Sequence, residues 1–273
     1  MIDLHLAKIM VSYSLPLIPN KISWTIINLS DRIIIMNILG SGSAGLYAVS
    51  HKFPNLMDTV YGFFYQSWKE SSSRVMGDES QESFYNSVYG HLKNFMYAIV
   101  IGMITFMPIV FKILINKSYY GAIYYVPILL LATYFANISG FYGGIFTAYK
   151  DTKIMGTTTM AAAVINLVLH FALIFLVGMY AAAISTLVAN FSVYIYRRIK
   201  VRKYIVLHED WKNRMVSILV TVVILLMFYN GKTVWVIVSC AIAVFYAVNV
   251  NWKLIAILWK QFGRWIYGCC GKR

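Results

Sequence analysis

The sequence predicts an all-α polytopic membrane protein of about eight transmembrane helices, and three observations lead there. Hydrophobic residues make up 60% of the 273 positions and charged residues 12%, against roughly 25% charged in a soluble domain. Mean hydropathy is +0.66. Apolar stretches long enough to cross a bilayer, about 20 residues at about 1.5 Å each, follow one another with only short joints between them. Residues 2–10 hold Asp3, His5 and Lys8 and no small-residue cleavage site, so they do not read as a cleavable signal peptide.

Taken in order, the expected spans are roughly 12–38, 44–67, 92–115, 120–148, 154–177, 179–199, 214–230 and 233–252. Glycine-containing joints such as Gly40-Ser41-Gly42 and Gly178 separate them. All five prolines (Pro16, Pro19, Pro54, Pro108 and Pro127) fall inside these spans. Proline removes a backbone donor, so bending elements are expected in the first four, ordinary membrane-helix proline usage being the alternative. Gly140, Gly143 and Gly144 give the fourth span a small-residue face for close packing. The expected organisation is a six-helix bundle over 1–206, then two more helices and a basic amphipathic cytoplasmic tail over 207–273.

Orientation follows from the basic residues. Eighteen of the 24 Lys and Arg fall in alternate connections or at the two ends, three (Lys112, Lys117, Lys232) on the opposite side, and three (Lys21, Arg32, Lys52) inside spans. By the positive-inside rule both termini are cytoplasmic, which an even number of spans requires as well. Trp68, Trp211 and Trp252 fall at inner ends and Trp235 at an outer end, where amphipathic rings sit best. Lys253, Lys260 and Arg264 share a helical face opposite Leu254, Ile257, Leu258 and Trp265, as in a helix lying on the inner leaflet or a longer tilted last span. The net charge of +14 is thus a matter of membrane topology and calls for no nucleic acid. Cys240 lies in a span and Cys269 and Cys270 in the basic tail, which makes no disulfide framework; the tail pair is a site for acylation at most.

The stretch 15–52 carries most of the chemistry. Its two spans contain Lys21, Asp31, Arg32, His51 and Lys52, and a charge at the bilayer centre costs roughly 2.5–3.5 kcal/mol. Four such charges facing lipid would cost on the order of 10 kcal/mol, comparable to a whole domain's stability. They are therefore expected to face protein or water. Lys21, Thr25, Asn28 and Arg32 recur on one face of the first span. Tyr47, His51, Pro54, Asp58, Tyr61 and Tyr65 do so in the second, with Lys52, Asn55, Thr59 and Gln66 in the adjacent row. Lys21 and Asp58 lie at matching depth and could pair, and Asp31 could meet His51 or Lys52. Alternatively Lys21, Arg32 and Lys52 remain available to an anion, for which phosphate is the natural match. Both hold if a cargo competes with the carboxylates, and Asn28, Asp31, His51 and Asp58 are then the polar or coupling residues of the cavity.

Other chemistry has no sequence support. There is no Walker loop, and Gly40-Ser41-Gly42 lacks the spacing and the preceding strand of a dinucleotide fingerprint. His5, His51, His91, His170 and His208 are scattered singly, which points to no metal and no cofactor. His170, amid apolar neighbours, reads as a packed or hydrogen-bonded helix residue. Asp78, Glu79 and Glu82 read as a solvated connection.

The run LPLIP at 15–19, SDR at 30–32, and G-x-Y-A at 45–48 followed by Lys52 resembles the start of the second half of bacterial polysaccharide flippases. These belong to the multidrug/oligosaccharidyl-lipid/polysaccharide exporter superfamily. AAAVINLVLHFALI at 161–174 and GMYAAAISTLVANFSVYIYRR at 178–198 look like that family's paired late helices. The resemblance covers about 10–205. It implies a C-terminal bundle of a two-bundle fold in the bacterial cytoplasmic membrane. It also implies alternating-access transport of an undecaprenyl-pyrophosphate-linked oligosaccharide, such as an O-antigen (lipopolysaccharide) or capsule repeat unit. Tyr47, Tyr61, Tyr65, Tyr120, Tyr124 and Tyr134 could stack on its sugars or simply pack. Family members are about twice as long, so this chain resembles their second bundle plus two helices, either a piece of a longer protein or a half-transporter whose first bundle a separate chain supplies. Two rivals remain: a cation-coupled multidrug exporter of the same superfamily, which would want carboxylates in the cavity, and a polytopic polysaccharide polymerase or acyltransferase, which would want a sizeable loop or a clustered acid–base set. The resemblance favours a transporter over an enzyme.

Overall fold

The computed structural model describes residues 4–257 and 259–260, and among them all regular structure is helical. The helices are α1 (Leu4–Ser14), α2 (Leu17–Leu39), α3 (Ser41–Ser50), α4 (Lys52–Arg74), α5 (Gln81–Leu114), α6 (Val126–Ala148), α7 (Lys153–Val177), α8 (Tyr180–Val201), α9 (Trp211–Asn230) and α10 (Thr233–Val250), with a 3₁₀ segment at Lys117–Tyr124. Every expected span coincides with helix. Six helical stretches among the described residues are long and apolar enough to cross a membrane. The two that fall short are α3–α4 and α8, and the site described below gives the reason. After Asn251 the backbone is helical again over 252–257. Leu258, Arg264, Trp265, Cys269, Cys270, Lys272 and Arg273, on which the expected tail rests, lie outside the described residues.

Four of the five prolines fall at or beside a helix start, and two of those starts, after Pro16 and just before Pro54, interrupt an expected span. Pro16 precedes α2, Pro19 and Pro54 are third residues of α2 and α4, and Pro127 is the second residue of α6. At such positions the missing N–H is one the helix would leave unpaired anyway, so proline starts helices here. Pro108 alone of the five lies inside a helix, in α5. Between α2 and α3 Gly40 takes φ 86°, and between α7 and α8 Gly178 takes φ 58°. Both conformations are open to glycine at little cost, and they allow the chain to turn within a residue or two.

The chain packs as two compact units. In the first (1–86 and 109–208), α4 lies on α6, α6 on α8, α8 on α7, and α7 on α2. Ile27, Ala162, Ala163, Ala189 and Val193 fill the α2–α7–α8 contact, with Ile34, Ile174 and Ala181 below them along the same helices. Trp68 is not an interfacial ring as expected but a core residue at 2% exposure. Its indole stacks on Phe141 with ring centroids 4.2 Å apart, and its Nε1–H donates to the Phe141 carbonyl at 3.0 Å. The glycines of α6 permit this approach: a Cβ on Gly144 would run into the indole, and one on Gly140 would meet the Tyr61 hydroxyl at 2.6 Å.

The second unit (87–108 and 209–273) combines the middle of α5 with α9 and α10. Asp210 caps α9 by accepting from the backbone N–H groups of Lys212 and Asn213. Tyr97 O–H reaches the Ser217 carbonyl at 3.1 Å and the Thr221 hydroxyl at 2.5 Å, while Ser217 Oγ pairs with Tyr246 O–H at 2.6 Å. Hydroxyls paired across helices in this way satisfy groups that lipid could not.

Candidate functional site

The first unit contains a cavity of ≈ 330 Å³ whose wall is built by five helices. Helix α2 contributes Asn20, Trp24 and Asn28, at i, i+4 and i+8. The α3–α4 junction and α4 contribute His51, Pro54, Asn55, Asp58, Tyr61 and Tyr65; α6 contributes Thr133 and Asn137 among others. Met155 of α7 and Thr186, Asn190 and Arg197 of α8 complete it. This explains why α4 and α8 fall short of membrane-helix hydropathy. Each spends one face on polar residues that look into the cavity and so need not meet lipid.

Of the residues singled out from sequence, Asn28, His51 and Asp58 line this cavity, whereas Lys21, Arg32 and Lys52 do not. Lys21 and Lys52 are exposed and Arg32 is half-buried. The cavity-facing stripe of α2 runs through residue 20 rather than residue 21. A one-residue shift rotates a helical face by about 100°, which carries Lys21 and Thr25 off the wall. On α4 the expected stripe and the wall agree, from His51 through Tyr65.

Asp31 lies next to the cavity, 1% exposed, and its partners are neither His51 nor Lys52. Its Oδ2 accepts from Tyr47 O–H at 3.0 Å and Thr186 O–H at 2.7 Å, and its Oδ1 lies 2.8 Å from His170 Nδ1. His170 is itself fully buried, hydrogen-bonded within the helix packing as its setting suggested. Asn166, one turn before His170, donates to Ser185 Oγ at 3.2 Å and Thr186 Oγ1 at 3.1 Å. Four helices thus converge on one carboxylate. Three partners on Asp31 offset the cost of taking it out of water, and His51 packs edge-on against Tyr47 at 4.7 Å, joining cluster and cavity wall.

Arg197 is the cation of the cavity, and sequence reasoning misplaced it. Its position near the end of a span put it among the cytoplasmic basic residues, yet it is 1% exposed. Nε–H donates to Thr158 Oγ1 at 3.0 Å and Nη1 to the Ser139 carbonyl at 3.2 Å. Nη2 donates to the Met155 carbonyl at 3.2 Å and, more weakly, to Asn20 Oδ1 at 3.4 Å. No carboxylate pairs with it among the described residues; neutral acceptors on α2, α6 and α7 hold it. Asn20, Asn137, Thr186 and Asn190 also escaped the sequence reading. Thr186, Asn190 and Arg197 recur at i, i+4 and i+11 in α8, so the periodicity applied to the first two spans would have found them.

With this geometry in view, two solved structures are similar in fold. One is a lipid II flippase, MurJ, in an inward closed conformation, with TM-score 0.64 and 16% identity over 89% of this chain. The other is a multidrug resistance MATE family transporter of the MOP superfamily in an outward-facing conformation, with TM-score 0.61 and 16% identity over 90% of this chain. The chain has the fold of these transporters. It spans 53% of the flippase chain and 64% of the MATE chain. No protein-family model matches the sequence, and no curated protein does.

Proposed function

We propose that this chain is one bundle of a transporter that moves a lipid-linked oligosaccharide pyrophosphate across the bacterial cytoplasmic membrane for O-antigen or capsule synthesis. A second bundle, from another chain or another segment, would complete the path, and both termini would face the cytoplasm. The observation that carries this reading is the cavity lined with polar residues by α2, α4, α6, α7 and α8, in a fold shared with a lipid II flippase. A wet, shaped cavity in otherwise lipid-compatible helices is what a hydrophilic headgroup needs midway through its crossing. Lys21, Arg32 and Lys52, outside the cavity lining, are proposed to meet the pyrophosphate, with Asn28, Asp31, His51 and Asp58 as polar or coupling residues.

Charge reversal by Arg32→Glu or Lys52→Glu is expected to abolish surface polysaccharide in cells while membrane insertion is retained. Normal polysaccharide from both reversals would remove these cations from the cargo path. A second reading is supported by the Asp58 carboxylate on the cavity lining and by likeness to a multidrug transporter: export of organic cations. Efflux of a cationic dye that Asp58→Asn abolishes, with polysaccharide unaffected, would favour it.

A further inference from the structure

Three polar atoms on the cavity-lining residues have no hydrogen-bond partner: His51 Nε2, Tyr61 O–H and Asn190 Oδ1, while the Asn137 amide faces the Asp58 carboxylate. These three residues are 8%, 8% and 4% exposed respectively. They come from the α3–α4 junction, α4 and α8, so no single local irregularity explains them. Buried polar atoms are nearly always paired because leaving one bare is costly. Three of them on one lining fit a site that is completed from outside.

We propose that this cavity is the subsite for a neutral, polyhydroxylated ring — the saccharide portion of the cargo — and not for its pyrophosphate. The proposal rests on the flippase reading for the origin of the sugar. Three observations carry it. The unpaired set is mixed: Asn190 Oδ1 accepts, Tyr61 O–H can do either, and so can His51 Nε2 according to its tautomer. Sugar hydroxyls donate and accept in the same way, whereas an ionised phosphate only accepts and would leave Asn190 Oδ1 facing a second acceptor. The charges argue likewise. Arg197 already has Thr158, Ser139, Met155 and Asn20 as acceptors, and Asp58 on the same lining repels an anion. Finally, Trp24 and Tyr65 offer aromatic surface for the C–H face of a ring, and ≈ 330 Å³ holds on the order of ten water-sized volumes, enough for one sugar ring and its hydroxyls.

The test uses the full chain in lipid nanodiscs and two probes that share one tail, farnesyl glucoside and farnesyl pyrophosphate. The glucoside is expected to bind saturably. Asn190→Leu should weaken it about tenfold, the usual consequence of leaving a ligand hydroxyl unpaired. The pyrophosphate should not displace it. Tyr61→Phe, which keeps the ring and removes only the hydroxyl, provides the same comparison if the Asn190 variant does not fold. Displacement of the glucoside by the pyrophosphate, or unchanged glucoside affinity in natively melting variants, would overturn the proposal, water being then the partner of these atoms. Glucoside binding with the stated losses, but no movement of a lipid-linked oligosaccharide in reconstituted vesicles, would uphold the subsite and refute the flippase reading.

Discussion

Gly140→Ala offers a sharp test of how the cavity wall is packed, because the structure predicts that its sign depends on one hydroxyl. A Cβ on Gly140 would lie 2.6 Å from the Tyr61 hydroxyl and 3.2 and 3.3 Å from Cζ and Cε1 of the same ring. Overpacking of this kind costs about 1–3 kcal/mol. Against it stands the gain in helix propensity from glycine to alanine, about 1 kcal/mol. The net expectation in the wild-type background is a destabilisation of roughly 0–2 kcal/mol. In a Tyr61→Phe background the nearest atom is gone, and the remaining contacts need the ring to yield by only a few tenths of an ångström. There Gly140→Ala should be neutral or stabilising by up to about 1 kcal/mol. Tyr61→Phe by itself should leave stability unchanged or raise it slightly, because the deleted hydroxyl is buried with no partner. The assay is a double-mutant cycle on detergent-solubilised protein followed by thermal or denaturant unfolding. The coupling should be about 1.5 kcal/mol, the middle of the roughly 0–3 kcal/mol that these figures span, with the double mutant more stable than the sum of the singles; additivity within about 0.5 kcal/mol would refute the packing argument.

Further outcomes follow from the two buried charged groups and one helix crossing. Asp31→Ala should cost about 3–5 kcal/mol, since it strands the donors of Tyr47 and Thr186 and the His170 ring. Asp31→Asn should cost only about 1–2 kcal/mol, as its carbonyl still accepts two hydroxyls; equal melting losses for both would contradict the network. At Arg197 the order should invert common expectation. Lysine cannot reach acceptors on three helices with a planar fork and should destabilise by about 3 kcal/mol. Methionine removes the buried charge together with its bonds and should cost less, about 1–2 kcal/mol, as fluorescence-detected gel filtration after heating would show. Gly156→Ala places a Cβ 2.5 Å from the Pro16 carbonyl oxygen, a backbone atom that cannot swing aside. It should lower folded yield more than Gly140→Ala does.

Hydropathy made the helices legible in advance. A segment in lipid must satisfy its own backbone, so length and apolarity alone place the spans, and all eight expected positions are helical. The polar face of α4 was equally readable, because His51 to Tyr65 keep helical rhythm and few residues compete for that wall. What sequence could not decide was rotation and partnership. Which side of α2 faces the cavity depends on Ile27, Asp31 and Ile34 docking on α7 and α8, and that docking favours Asn20, Trp24 and Asn28 over Lys21 and Thr25. Asp31 finds His170 across 139 residues, a pairing no local periodicity contains. Arg197 sits near a span end where charge statistics assign the cytoplasm, yet carbonyls and hydroxyls from neighbouring helices draw it inside. Periodicity is a property of one helix, whereas burial of a charge is decided by acceptors on others, and only the packed structure brings those together.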